Sequence, residues 1–252
     1  MLAKCKFMNI SINNITMVQA VEAIDKLIAQ RKKAYVVTPN VDHIIKVEKD
    51  SLFKEIYDNA DLVLTDGQPL IWISKVYKRP IVEKVSGSDL FPKVCEMAAK
   101  KGYSVYFLGA KEGVADIAAT KLRQQYPNIN IVGTDSPPFG FEKNTKEIER
   151  VIEKVNNAHP DILALALGTP KQEKFYYQNR EALDVGCALA VGASIDFAAG
   201  TVKRAPKWMS NHGLEWFYRL LKEPKRMFKR YIVDDLKIIR LIWKYRKNNA
   251  DI

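Results

Sequence analysis

The chain has 252 residues, 47% of them apolar, which allows one large domain, or one domain with an appendage, around a real core. No run approaches 18 uncharged apolar residues, so no spanning helix is expected. The three cysteines, Cys5, Cys95 and Cys187, are an odd and scattered set, which speaks for reduced core thiols and against a disulfide framework or zinc site. The net charge of +11 is unevenly spread: residues 201–252 hold 14 Lys+Arg against 5 Asp+Glu, a charge of +9, while residues 1–200 hold 26 against 24, only +2. A near-neutral body with a basic tail implies an anionic partner: lipid, nucleic acid or a phosphorylated substrate.

In chain order, residues 6–12 alternate loosely and read as an edge hairpin with Ile15. Thr16 can cap a helix over 17–31 whose apolar positions are Val18, Val21, Ile24, Leu27 and Ile28. A strand at 34–38 runs into Pro39-Asn40, and a helix is expected over 41–58. A strand at 62–65 ends in Asp66-Gly67-Gln68-Pro69, followed by a short helix to about Tyr77, a loop at 78–88, and a helix from Asp89 to Lys101 with Asp89 as its cap. A strand at 103–108 ends in Gly109-Ala110, and a helix over 111–126 precedes a strand at 129–133. A Pro- and Gly-rich rim loop at 134–140 leads to a helix over 144–157. The apolar run Ile162–Gly168 stops at Thr169-Pro170, the pattern of a strand buried on both faces. Thr169 suits a helix N-cap, Pro170 the first helical position, and Glu173 can support the turn of a helix over 171–182. A last strand at 187–191 ends in Gly192-Ala193-Ser194.

Strands alternating with helices imply an α/β fold: a Rossmann-like, mainly parallel sheet flanked by helices, over residues 1–200. Residues 201–252 form a basic helical C-terminal appendage. A short helix at 212–221 is broken by Pro224, and from 225 to 247 Phe228, Tyr231, Ile232, Leu236, Ile239, Ile242 and Trp243 share one helical face, with most Lys and Arg on another. A basic amphipathic helix with aromatic residues suits an anionic membrane surface; packing against the body or a second subunit is the alternative.

In open α/β sheets, ligands sit outside the carboxyl ends of the strands, and five polar strand ends here share one rim. Helix N-termini at that rim favour phosphate. Asp66 is the candidate general base, although Asp-Gly is also ordinary turn chemistry. Asp196 and Asp89 are weaker rivals. Thr38, Asn40, Thr169 and Gln172 can bind phosphate or a sugar hydroxyl, or act as caps, and Arg219, Arg226 and Arg230 can pair with a diphosphate. The chain has no Asp-x-Asp, P-loop, G-x-G-x-x-G or G-x-S-x-G, and His43, His159 and His212 lack metal-ligand spacing, so neither a metal nor a cofactor is expected.

The blocks T-P-N-V-D-H (38–43), L-T-D-G-Q-P (64–69), L-G-T-P-K-Q-E (167–173), V-G-A-S-I-D-F-A-A-G (191–200) and R-A-P-K-W…G-L-E-W-F-Y-R-L…E-P-K-R…R-Y (204–231) resemble, in order, those of the WecG/TagA/CpsF glycosyltransferases, nearest the TagA branch. The resemblance implies inverting, metal-independent transfer of N-acetylmannosamine from its UDP donor to the 4-hydroxyl of a polyprenyl-diphosphate-linked GlcNAc, as in the linkage unit of wall teichoic acid. It implies Asp66 as the base and a site drawn from Thr38, Asn40, Gln68, Lys84, Gly109, Thr169, Gln172, Arg219, Arg226 and Arg230. It further implies an enzyme peripheral to the inner face of the cell membrane, acting in the cytoplasm, with homo-oligomerisation an open expectation and no nucleic-acid partner. Lys84 departs from the family's usual Arg, keeping the charge but losing the planar fork. A relative using another UDP-sugar, such as a glucose or mannosaminuronate donor, and a nucleotide-binding module with a nucleic-acid-gripping tail are the rival readings.

Overall fold

The computed structural model of the chain describes residues 2–206, 208–209, 214–222, 224, 228 and 235–246. Strands β1 (Cys5–Phe7) and β2 (Ile10–Ile12) pair antiparallel through a tight turn in which Met8 takes φ 52°. This hairpin forms its own two-stranded sheet and is not an edge of the main one.

The main sheet has six strands, all parallel, in the order β4-β3-β8-β7-β5-β6. They are β3 (Ala34–Val37), β4 (Leu62–Val63), β5 (Ser104–Gly109), β6 (Asn130–Asp135), β7 (Ile162–Ala166) and β8 (Cys187–Ala190). Successive side chains on a strand point to opposite faces, so the strands build two cores. Tyr35, Val37, Leu163 and Leu165 enter one, while Ala34, Val36, Ile162 and Ala164 enter the other. Helices α1 (Met17–Ala29), α5 (Gly87–Lys101), α6 (Val114–Gln125) and α9 (Ser194–Ala199) cover the second face. The hairpin and helices α2 (Val41–Val47), α3 (Ser51–Asn59), α4 (Gln68–Val76), α7 (Thr145–Ala158) and α8 (Lys171–Asn179) cover the first. Side chains such as Phe53, Ile44 and Phe107 are fully buried, each contributing about 1.5–3 kcal/mol.

Edge strand β4 is only two residues long, and Asn13 covers its open side: the Val63 amide donates to Asn13 Oδ1 (2.9 Å) and the Asn13 amide to Val63 O (2.8 Å). Such pairing removes an exposed edge.

Several local expectations are corrected. The single helix over 41–58 is two, because Asp50 takes extended backbone and caps Phe53 N–H (3.0 Å), starting α3 afresh. Helix α5 begins at Gly87, capped by Ser86; Asp89 sits inside its first turn. Thr169 does not cap α8. Pro170 takes the N-cap position after a cis Thr169-Pro170 bond, and the Thr169 hydroxyl is engaged elsewhere. Val18 is exposed, and α1 is held by Ala20, Ile24 and Ile28.

In the C-terminal segment, α10 (Glu215–Lys222) and α11 (Ile238–Tyr245) are described, and a 3-10 turn at Asp235–Lys237 leads into α11. Helix α11 docks on the body. Leu241 is buried in the first core with Ile238 and Ile242 against it, Tyr77 donates to Ile242 O (2.9 Å), and Tyr245 donates to Glu48 (2.8 Å). The apolar stripe expected as one face is therefore split, since Ile242 packs inward while Leu236, Ile239 and Trp243 are exposed. Tyr231, Ile232 and the start of the expected 225–247 helix lie outside the described residues.

Candidate active site

Three strands bring the expected polar residues to one rim. β3 ends in Thr38-Pro39-Asn40, β4 in Thr65-Asp66-Gly67, and β7 in Leu167-Gly168-Thr169. The Asp66 amide donates to Pro39 O (2.8 Å), which locks the Asp66 turn beside Asn40. Gly67, at φ 99°, then opens α4 with Gln68 as its first residue. A Cβ on Gly67 would stand 3.8 Å from Asn40 Cβ, so the Asp66 and Asn40 turns are in contact. A Cβ on Gly87 would lie 3.2 Å from Thr38 Oγ1, placing Thr38 against the N-terminus of α5. Gly109 lies buried at the end of β5, where a Cβ would be 2.6 Å from the Ala166 carbonyl; close strand packing alone requires glycine there.

Asp66 is half-buried, and its carboxyl is raised to about 6. Burial is the main cause. The Glu215 carboxylate pushes in the same direction, and Lys84, His43 and Arg219 push the other way. A carboxyl poised near the operating pH suits a general base. The rival Asp89 is differently placed. Against the effect of burial, the Ser86 hydroxyl (2.6 Å) and Arg204 (2.8 Å) hold it below its ordinary range as a paired carboxylate. Asp196 lies in the first turn of α9.

Lys84 and Arg219 are thus cationic neighbours of Asp66, one from the loop before α5 and one from α10. Arg226 and Arg230 lie outside the described residues. Thr38, Asn40, Asp66, Gln68, Lys84 and Arg219 belong to one neighbourhood around β3, β4 and α10. Thr169 and Gln172 join it through a buried network. The Thr169 hydroxyl donates to Glu173 Oε1 (2.9 Å) and Gln172 Nε2 donates to the same oxygen (3.0 Å). His43 Nε2 lies 2.8 Å from Thr169 Oγ1, and His43 Nδ1 lies 2.8 Å from Asn40 Oδ1.

Two members of this neighbourhood were not singled out as site residues from the sequence. Glu215 is four residues before Arg219, a spacing that puts both on one helical face. His43, weighed only as a metal ligand, closes the T-P-N-V-D-H block. Among the described residues no three His, Cys, Asp or Glu side chains gather in a metal-binding arrangement, and no helix is long and apolar enough to cross a membrane.

Residues 5–251 match the profile of the Glycosyl transferase WecG/TagA/CpsF family. The chain is 30% identical over 221 residues, 88% of its length and 83% of the other's, to an N-acetylglucosaminyldiphosphoundecaprenol N-acetyl-beta-D-mannosaminyltransferase of Bacillus spizizenii. It is also 30% identical over 219 residues, 86% and 83% of the two lengths, to the protein of the same name from Bacillus subtilis. The chain belongs to the WecG/TagA/CpsF glycosyltransferase family.

Proposed function

We propose that the chain transfers N-acetylmannosamine from UDP-N-acetylmannosamine to the 4-hydroxyl of GlcNAc on undecaprenyl diphosphate, by one inverting displacement without a metal ion. The observation that carries this reading is Asp66, half-buried at a strand end with its carboxyl raised to about 6, among Lys84, Arg219 and Asn40. The names of the Bacillus relatives support the choice of donor and acceptor.

In this account the Asp66 carboxylate accepts the proton of the acceptor hydroxyl as its oxygen bonds to the anomeric carbon. The bond from that carbon to the UDP oxygen breaks, and the electron pair leaves with UDP. Lys84, Arg219 and the N-termini of α4 and α5 offset the charge that develops on the diphosphate. Such groups act strongly because they are already oriented when the charge appears.

Residues 1–200 form the catalytic domain in this reading, and 201–252 an appendage that both completes the site, through α10, and meets an anionic membrane surface at the inner face of the cell membrane. Exposed Trp216, Phe217, Leu221, Ile239 and Trp243, interleaved with Arg219, Lys222, Arg240 and Lys244, support that role. The test is a donor panel. UDP-N-acetylmannosamine, UDP-N-acetylmannosaminuronate and UDP-glucose are each supplied with a lipid-diphosphate GlcNAc acceptor, and the product linkage is read by NMR. A β-linked N-acetylmannosaminyl product is expected. Exclusive use of another donor would overturn the choice of sugar, and an α-linkage would overturn the single displacement.

A further inference from the structure

Large apolar side chains exposed singly are ordinary on a protein surface. Val18 and Ile117 are of this kind, on helices whose outer faces also carry acids, Glu22 on α1 and Asp116 on α6. The stretch from Gly67 to Val82 differs. It exposes Trp72 (49%), Val76 (67%) and Val82 (65%) together with Lys75 and Lys78, and it contains no Asp or Glu. Trp72 and Val76 are four residues apart on α4 and so share a face.

These side chains are presented by a fixed backbone. Behind α4 the chain turns at Lys78, φ 57°, and is then tied back at successive residues. The Arg79 amide donates to Ser74 O (2.9 Å) and the Ile81 amide to Ser74 Oγ (3.0 Å). Asn14 holds the next residues from the side: its Oδ1 accepts from the Val82 amide (2.8 Å) and its Nδ2 donates to Pro80 O (3.2 Å). A held surface that is apolar, cationic and free of acids is the mark of an interaction face.

The neighbours of α4 identify what covers it. The helix begins at the Asp66 turn, and its far end is tied to the appendage, where Tyr77 donates to Ile242 O (2.9 Å). Trp243, the next residue of α11, is exposed. At the near end, Glu215 and Arg219 of α10 act on the Asp66 carboxyl, and Trp216 and Phe217 between them are exposed. Two appendage helices with exposed aromatic residues thus bracket α4. A second copy of the chain is a poor cover. A two-fold contact is self-complementary and would bring Lys75 and Lys78 toward their own counterparts, with no acid in the stretch to pair them. An anionic lipid surface suits both features, with headgroups beside the lysines and interfacial hydrocarbon around the indole.

We propose that α4 and the loop behind it, residues 68–82 of the body, are a lipid-contacting surface in their own right, continuous with that of the appendage. The protein then rests on an anionic bilayer with the mouth of the site turned toward the lipid. Trp72 lies about 6 Å along the helix axis from Gln68, so the Asp66 turn stands close to the headgroups from which a lipid-linked acceptor is presented. This inference rests on the membrane contact of the appendage proposed above and extends it to the body.

The experiment uses the full chain with vesicles of equal phosphatidylglycerol and phosphatidylcholine, or of phosphatidylcholine alone. Trp72→Ser is expected to weaken binding to the mixed vesicles about tenfold in co-sedimentation. Lys75→Gln is expected to weaken it about fivefold, with no effect on phosphatidylcholine alone. Both positions are exposed, so neither variant opens a cavity in the core. A chain whose sole tryptophan is Trp72, carrying Trp208→Phe, Trp216→Phe and Trp243→Phe, gives the direct reading. At vesicle concentrations that sediment this chain, Trp72 emission is expected to move to shorter wavelength and to be quenched by brominated acyl chains. Bound protein whose Trp72 emission neither moves nor is quenched would overturn the proposal and leave the appendage as the contact. Unchanged binding of Trp72→Ser would do the same. A lipid-free dimer that dissociates in Trp72→Ser, seen by sedimentation velocity, would overturn it in favour of a second copy. If the unmodified chain binds neither kind of vesicle, the membrane reading of the appendage fails, and this proposal falls with it.

Discussion

His43 Nε2 lies 2.8 Å from Thr169 Oγ1, although the two residues follow strands β3 and β7, which are separated in the sheet by β8. One side-chain contact therefore spans the mouth of the sheet and joins two of the loops that form the rim. Glu173 beneath it is held below the ordinary carboxyl range: burial opposes this, but the hydrogen bonds and charge of His43, with Gln172, outweigh it. A lowered group contributes stability above its unfolded value, 4.5, and loses it as pH falls through its folded value. Glu173→Gln is expected to destabilise the protein at pH 7 by about 1–3 kcal/mol, the cost of disturbing the buried hydrogen bonds that Glu173 accepts from Thr169 and Gln172, as read by urea denaturation.

Asp66 has the opposite sign. Its folded value of about 6 lies above the ordinary 3.8, so its contribution is fully favourable below pH 3.8 and is lost as pH rises through 6. Asp66→Asn is expected to stabilise the fold by up to about 3 kcal/mol at pH 8, and the gain should shrink as pH falls below 6. Denaturation midpoints at pH 8 and pH 5 measure this. A loss of stability at pH 8 would contradict the burial of a strained carboxylate.

The acidic limb of kcat/KM is expected near pH 6, where Asp66 takes up its proton. Glu215 raises Asp66 and Arg219 lowers it. Glu215→Gln should therefore move the limb to lower pH and Arg219→Gln to higher pH. Rate profiles of the two variants that shift in the same direction would show that α10 does not tune the base.

Gly109 has φ 110° and no room for a Cβ, which would sit 2.6 Å from backbone atoms of Ala166. Gly109→Ala is expected to cost about 3 kcal/mol or more, from strain and overpacking together. Gly102, at φ 75° with open space around it, is the control; Gly102→Ala should cost only about 1 kcal/mol.

Helix α11 turns Ile239 and Trp243 outward at 53% and 68% exposure, with Arg240 between them in sequence. Arg240→Gln is expected to weaken binding to anionic vesicles about fivefold, since each basic residue at such a surface contributes about 1 kcal/mol. Trp243→Ala should weaken binding to anionic and neutral vesicles alike. Co-sedimentation separates the two effects.

Much of this fold is written in periodicity. The run from Ile162 and the patterns around β3, β5 and β8 are too apolar to sit anywhere but the middle of a parallel sheet, and that is where they lie. Local chemistry was less legible. Asp50 divides one helical pattern in two, and Thr169 gives its hydroxyl to Glu173 instead of capping α8. In both cases a short polar side chain had several possible partners, and tertiary contacts chose among them. The candidate site was legible where residues stood at strand ends, as with Asp66 and Asn40. It was not legible where a partner came from far along the chain, as Glu215 does, or from beneath the rim, as His43 does.

The central claim is that Asp66 is the base of an acceptor-dependent sugar transfer. The most direct test is UDP release from UDP-N-acetylmannosamine in EDTA, with and without a lipid-diphosphate GlcNAc acceptor, for the unmodified chain and for Asp66→Asn. Acceptor-dependent release by the unmodified chain, reduced at least about a thousandfold in Asp66→Asn while UDP binding is kept, is the predicted result. Near-normal release by folded Asp66→Asn would contradict it.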